Sequence, residues 1–187
     1  MPVDSSAIAT WANAVTVARV MISPLLFVII PKGHSGSWAA LALWFVLCST
    51  DGIDGYLARR HGTTTSGAFL DPLADKILIL GAMFTLVSRE VFPIVPVVII
   101  AAREVAISLF RVFKGAKGVS VPATKIAKGK TVAQQFAVAG ALFPLTALDA
   151  TWLWKGLLWL AMALALISGT HYVTASRRLK TRTAHAL

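Results

Sequence analysis

The sequence predicts an all-α integral membrane protein with six transmembrane helices, on three observations. Hydrophobic residues make up 57% of the 187, and charged residues only 14%, whereas a soluble chain is about half apolar and about a quarter charged. The apolar residues gather into six runs long enough to cross a bilayer. Turn-forming and basic residues fall between the runs. One membrane domain spanning residues 1–187 accounts for the length.

The runs are read at 13–30, 38–60, 67–88, 91–113, 131–148 and 152–175. Met1 to Trp11 carries no basic leader segment, so the first run is expected to be a retained span rather than a cleaved signal. Pro31-Lys32-Gly33-His34-Ser35-Gly36-Ser37 forms the turn that follows it. Ser66 is a fitting N-cap for the third run, with Gly67 just inside. Glu90 and Pro93 mark the turn into the fourth, and Asp149 and Thr151 the turn into the sixth. Lys114 to Lys130 is the longest non-apolar stretch; with Gly115, Gly118 and Pro122 it reads as a loop or a short surface helix.

The net charge is +10, from 18 Lys and Arg against 8 Asp and Glu. No nucleic-acid motif accompanies the basic residues, which adjoin apolar runs, so anionic lipid or an anionic substrate is expected and nucleic acid is not. Place the N-terminus, the 60s loop, the 114–130 stretch and the tail in the cytoplasm. That side then holds Arg59, Arg60, Arg111, Lys114, Lys117, Lys125, Lys128, Lys130, Arg177, Arg178, Lys180 and Arg182, against Lys32, Arg89 and Lys155 opposite. This bias predicts a multi-pass protein with Asp51, Asp54, Asp71 and Asp75 at or near the cytoplasmic face, and the membrane is expected to be the plasma membrane. Trp38, Trp152 and Trp154 would lie in the outer aromatic belt and Trp11 in the inner one. Cys48, the sole cysteine, excludes an intrachain disulfide. His34, His61, His171 and His185 are scattered and read as surface or interfacial residues.

Four of the eight carboxylates, Asp51, Asp54, Asp71 and Asp75, fall within 25 residues. Carboxylates beside apolar spans are costly, and function is the default reason for keeping them. Asp51, Asp54, Gly55 and Ala58 share one helix face; Gly67, Asp71 and Asp75 lie close to one face of the next helix. Four converging carboxylates repel unless cations offset them. All-oxygen ligation suits Mg²⁺ or Mn²⁺, and Ca²⁺ less specifically. The competing reading is structural pairing with Arg59, Arg60 and Lys76. It explains a single aspartate better than four in register.

These residues resemble the signature of the CDP-alcohol phosphotransferase family, Asp-x2-Asp-Gly-x2-Ala-Arg, then Gly-x3-Asp-x3-Asp. All eight fixed positions are present: Asp51, Asp54, Gly55, Ala58, Arg59, Gly67, Asp71 and Asp75. The spacer between Arg59 and Gly67 has seven residues, where eight is more usual, and it falls in the interhelical turn. The resemblance implies a six-span enzyme, usually dimeric, that moves a phosphatidyl-type group from a CDP-linked donor to an alcohol and releases CMP. It implies two metal ions on Asp51, Asp54, Asp71 and Asp75, with Asp75 also the base. Gly55, Ala58, Gly67 and Arg59 would receive the nucleotide.

Which alcohol is accepted depends on residues outside the signature. Arg103 and Arg111 lie eight apart in the fourth run, and Lys125, Lys128 and Lys130 follow. A cationic pocket of these would suit an acceptor carrying phosphate. Otherwise, Arg103 pairs with a signature aspartate or with Glu104, and the lysines face anionic lipid. Asn13-x-x-Thr16-x-x-Arg19, Phe69 to Lys76, Ala102-Arg103-Glu104, and Lys125-x-x-Lys128-x-Lys130-Thr131 resemble the phosphatidylglycerolphosphate synthase branch of the family. That branch implies CDP-diacylglycerol as donor and glycerol 3-phosphate as acceptor, and adds Asn13 and Thr16 to the donor site. Cardiolipin synthases and phosphatidylinositol-phosphate synthases are the alternatives within the family. Outside it stand a cation transporter with a midplane acidic site and a non-catalytic lipid-binding scaffold.

Overall fold

The computed structural model describes the backbone of residues 5–61, 67–115 and 125–184, and the side chains of 14–50, 73–110 and 129–170. Among the described residues it is all-helical. α1 is Ser5–Ile29, α2 Trp38–His61, α3 Gly67–Ser88, α4 Ile94–Gly115, α5 Lys125–Leu142, α6 Pro144–Asp149 and α7 Thr151–Ala184, with a 3-10 turn at Gly33–Ser35. Each expected run is therefore helical over most of its length, and the third has the predicted bounds. Ser66, Gly118 and Pro122 lie outside the described residues.

Two compact units are present: Met1–Phe92 with Val138–Thr151, and Pro93–Ala137 with Trp152–Leu187. In the first, α1 packs on both α2 and α3. Its buried stripe is Thr16, Arg19, Ser23 and Leu26, continued by Ile30 just past its end, while Val17, Met21, Leu25 and Val28 are exposed. These spacings are helical, but the polar side chains are inside and many apolar ones outside. Ser23 Oγ donates to the Arg19 carbonyl at 2.7 Å. Gly81 on α3 admits the ring of Phe27: a methyl there would collide with Phe27 Cζ.

The turn after α1 is anchored at both ends. Gly33 (φ 69) donates its N–H to the Arg89 carbonyl at 3.0 Å, and Ser37 N–H reaches the Leu142 carbonyl at 2.8 Å. Gly36 has φ 63 and ψ 175, a region essentially reserved for glycine. A Cβ on it would lie 2.7 Å from Pro144 Cα. Trp38 meets Phe143 edge to face, with centroids 5.2 Å apart. Glu90, at φ 63, ends α3 in the left-handed region. The Val91 N–H returns to the Leu86 carbonyl at 2.9 Å, the six-to-one bond of a Schellman cap.

Three sequence expectations are corrected. The fifth run does not continue to 148. Phe143 is extended (ψ 115) ahead of Pro144, which opens α6, because the residue before proline avoids the α region. Lys125, Lys128 and Lys130, in the stretch read as a loop or a short surface helix, open α5 instead, where the Lys130 side chain is not at the surface but buried against a partner on α4. Trp154 is not a belt residue. It is fully buried in α7, whereas Trp38 and Trp152 are exposed. Its large ring fills space in the packed interior, and Lys155 Nζ stands 5.3 Å from the ring centroid.

Among the described residues of the second unit, the buried polar ones are Glu104, Lys130, Gln134 and Ser168. Val95, Val98, Val105 and Leu109 of α4, Val132 and Phe136 of α5, and Trp159, Leu160, Leu166 and Ile167 of α7 are exposed. Among the described residues one helical segment, Thr151–Thr170, is long and apolar enough to cross a membrane; Ala14–Ile29 and Trp38–Thr50 are shorter apolar segments.

Candidate active site

The signature is split over two consecutive helices. Asp51, Asp54, Gly55, Ala58 and Arg59 occupy the last turns of α2, and Gly67, Asp71 and Asp75 the first turns of α3. Only residues 62–66 lie between. The helical register puts Asp51 and Asp54 one turn apart on α2, and Asp71 and Asp75 one turn apart on α3. Asp75 is half-buried. The side chains of Asp51, Asp54, Gly55, Ala58, Arg59, Gly67 and Asp71 lie outside the described residues. Carboxylate oxygens are the donor type that fits a hard divalent cation, so these four aspartates are the candidates to hold one. On α1, Thr16 is 2% exposed, and the Asn13 side chain lies outside the described residues.

The second group of predicted residues comes together in part. Glu104 of α4 is a buried hub. Arg103 donates from one terminal nitrogen to Glu104 Oε1 at 2.8 Å, and from the other to Ser168 Oγ of α7 at 2.8 Å. Lys130 of α5 donates to the same Oε1. One carboxylate thus ties two cations together, and the cluster joins α4, α5 and α7. The pairing of Arg103 with Glu104 is one of the sequence alternatives. The stem of Arg103 passes α7 at Gly169, where a methyl would sit 3.7 Å from Cγ. The side chains of Arg111, Lys125 and Lys128 lie outside the described residues.

Among the described residues, Arg103 and Lys130 both direct their charge at Glu104. Arg103 Nε is also buried without a hydrogen-bond partner. Such an arrangement is suited to hold an anion. Ser168 and Gln134 belong to this region but were not singled out by the sequence. For Gln134 a signal exists, since it follows Lys130 by one helical turn. For Ser168 none does.

The CDP-alcohol phosphatidyltransferase family model matches residues 9–167. The chain belongs to this family. A Rickettsia felis protein named CDP-diacylglycerol–glycerol-3-phosphate 3-phosphatidyltransferase is 34% identical over 171 residues, covering 89% of this chain and 94% of its own. Proteins of the same name from Cereibacter sphaeroides and Bacillus subtilis are 33% and 32% identical. They cover 86% of this chain each, and 92% and 91% of their own lengths.

Proposed function

We propose that this chain transfers the phosphatidyl group of CDP-diacylglycerol to glycerol 3-phosphate, giving phosphatidylglycerolphosphate and CMP. The observation that carries the reading is the complete eight-position signature on the end of α2 and the start of α3, in a chain about a third identical to proteins named for this reaction. The 1-hydroxyl oxygen of glycerol 3-phosphate forms a bond to the β-phosphorus of the donor. The bond from that phosphorus to the oxygen bridging to CMP breaks, and CMP leaves with the electron pair. Asp75 takes the hydroxyl proton.

Asp51, Asp54, Asp71 and Asp75 would hold two Mg²⁺ or Mn²⁺ ions. When bound, these supply charge neutralisation for the donor pyrophosphate and the departing CMP. Gly55, Ala58 and Gly67 leave room for the nucleotide, Arg59 binds phosphate, and Asn13 and Thr16 border the donor. Arg103, Arg111, Lys125, Lys128 and Lys130 bind the acceptor's phosphate. The cations Arg103 and Lys130 and the spare Nε of Arg103 support an acceptor that is itself anionic.

The same reading places α1 to α5 and α7 across the plasma membrane as one domain over 1–187, as a homodimer, with the aspartates toward the cytoplasm. Buried polar stripes beneath exposed Val, Leu and Ile support the membrane, because lipid reverses the usual preference for polar surfaces. The family model, 9–167, runs through both units and supports a single domain.

Purified protein given CDP-diacylglycerol, Mg²⁺ and a panel of acceptors tests the function. CMP release with glycerol 3-phosphate is expected. Release only with phosphatidylglycerol or inositol phosphate would move the enzyme to another branch, and no release with any alcohol would refute it.

A further inference from the structure

Gln134 is 2% exposed, and its side-chain Nε2 is buried without a hydrogen-bond partner. A buried amide donor in that condition is costly, and native proteins seldom keep one without a use. Gln134 lies four residues after Lys130 on α5, so the two share a face with Cβ atoms about 5–6 Å apart. Both are buried. Lys130 in turn donates to Glu104, which also receives Arg103. Two unpartnered buried N–H donors, Gln134 Nε2 and Arg103 Nε, therefore belong to the helices that carry the Arg103–Glu104–Lys130 cluster. Cationic side chains and spare N–H donors are together what a phosphate monoester needs, since each of its oxygens accepts hydrogen bonds, most strongly from charged donors.

We propose that Gln134 is a binding residue for the acceptor alcohol, its amide donating to an oxygen of the acceptor's phosphate. This rests on the reading that the acceptor carries a phosphate. It explains why an amide is retained where an apolar side chain of the same size would pack at less cost. The donor is unpaired in the empty protein and paired in the complex.

The test is Gln134→Met, which keeps the length and removes the donor. KM for glycerol 3-phosphate is expected to rise tenfold or more, with KM for CDP-diacylglycerol and kcat within twofold. The melting temperature of the empty protein is expected to stay level or rise, because no buried donor is left unsatisfied. Methyl phosphate, which has the phosphate without the glycerol, should compete with glycerol 3-phosphate in the wild type, and its inhibition should weaken by the same factor in the variant. An unchanged KM, or methyl phosphate inhibition equal in both proteins, would overturn the assignment. If Gln134→Met does not fold, Gln134→Leu and Gln134→Ala are read by the same ratios, and failure of all three to fold would make Gln134 a structural residue and overturn it too. Wild-type turnover with glycerol 3-phosphate alongside an unaffected variant defeats only this inference. A wild type that uses no phosphate-bearing acceptor defeats the proposed function with it.

Discussion

Lys130 of α5 and Glu104 of α4, 26 residues apart in sequence, form a buried ion pair. The same carboxylate oxygen receives Arg103, so removing Glu104 leaves two buried cations without their shared partner. Breaking a buried pair from one side costs about 3–5 kcal/mol, mostly as the desolvation of the charge left behind. Glu104→Ala is expected to lower stability by that order in detergent-solubilised protein followed by thermal or chemical unfolding. Glu104→Ala with Lys130→Met should be less unstable than the sum of the single changes, since the second removes one of the stranded charges. Strict additivity would show that the pair does not hold α4 to α5.

Gly36 and Gly33 make a paired prediction on the turn after α1. Both have positive φ. A Cβ on Gly36 would press on Pro144 backbone at 2.7 Å, while one on Gly33 meets nothing within 4 Å. Backbone strain alone costs about 1–3 kcal/mol for a side chain in such regions. Gly33→Ala should fall within that range, and Gly36→Ala should exceed it, because backbone atoms at Pro144 cannot rotate away. Equal losses in unfolding measurements would mean that the turn re-forms without its contact to α6.

How much of this was legible in the sequence depends on the range of the signal. The helices were, because apolar runs and turn residues are local. So were the four aspartates and their glycine and arginine companions, whose spacing fixes their helix positions. The break at Phe143 was missed by hydropathy, which reads through Pro144 as apolar and takes no account of the backbone restriction proline imposes on its neighbour. Trp154 was misplaced because the belt rule uses distance along the chain, while burial depends on which way α7 faces. The Glu104 hub was half legible. Arg103 is adjacent, but Lys130 and Ser168 arrive from α5 and α7, and no periodicity within one helix announces them.

Gly81 and Phe27 give a test of how closely α3 lies against α1. A methyl at Gly81 would overlap the tip of the Phe27 ring. Overpacking of this kind costs about 1–3 kcal/mol. Gly81→Ala is expected to destabilise by that amount, and Phe27→Leu in the same chain to recover most of it by vacating the space. If the second substitution only adds to the loss, the two helices are held by contacts elsewhere, and the ring is not what Gly81 accommodates.

Asp75 stands one turn after Asp71 on α3, half-buried, at the last position of the signature. Two roles are proposed for it, proton acceptor and metal ligand, and they can be separated. Asp75→Asn keeps the shape and an oxygen ligand but cannot take a proton. A positioned general base contributes about 10²–10⁴ in rate, so kcat should fall by that factor while expression and melting temperature hold. If Asp75 matters mainly as the base, the Mg²⁺ concentration giving half-maximal residual activity should change little. If it matters mainly as a ligand, that concentration should rise and excess Mg²⁺ should restore much of the rate. Asp51→Asn is the reference for the second pattern, because it is proposed as a ligand only. Rate recovery by Mg²⁺ in Asp75→Asn equal to that in Asp51→Asn would remove the assignment of the base and leave the acceptor's proton to another group.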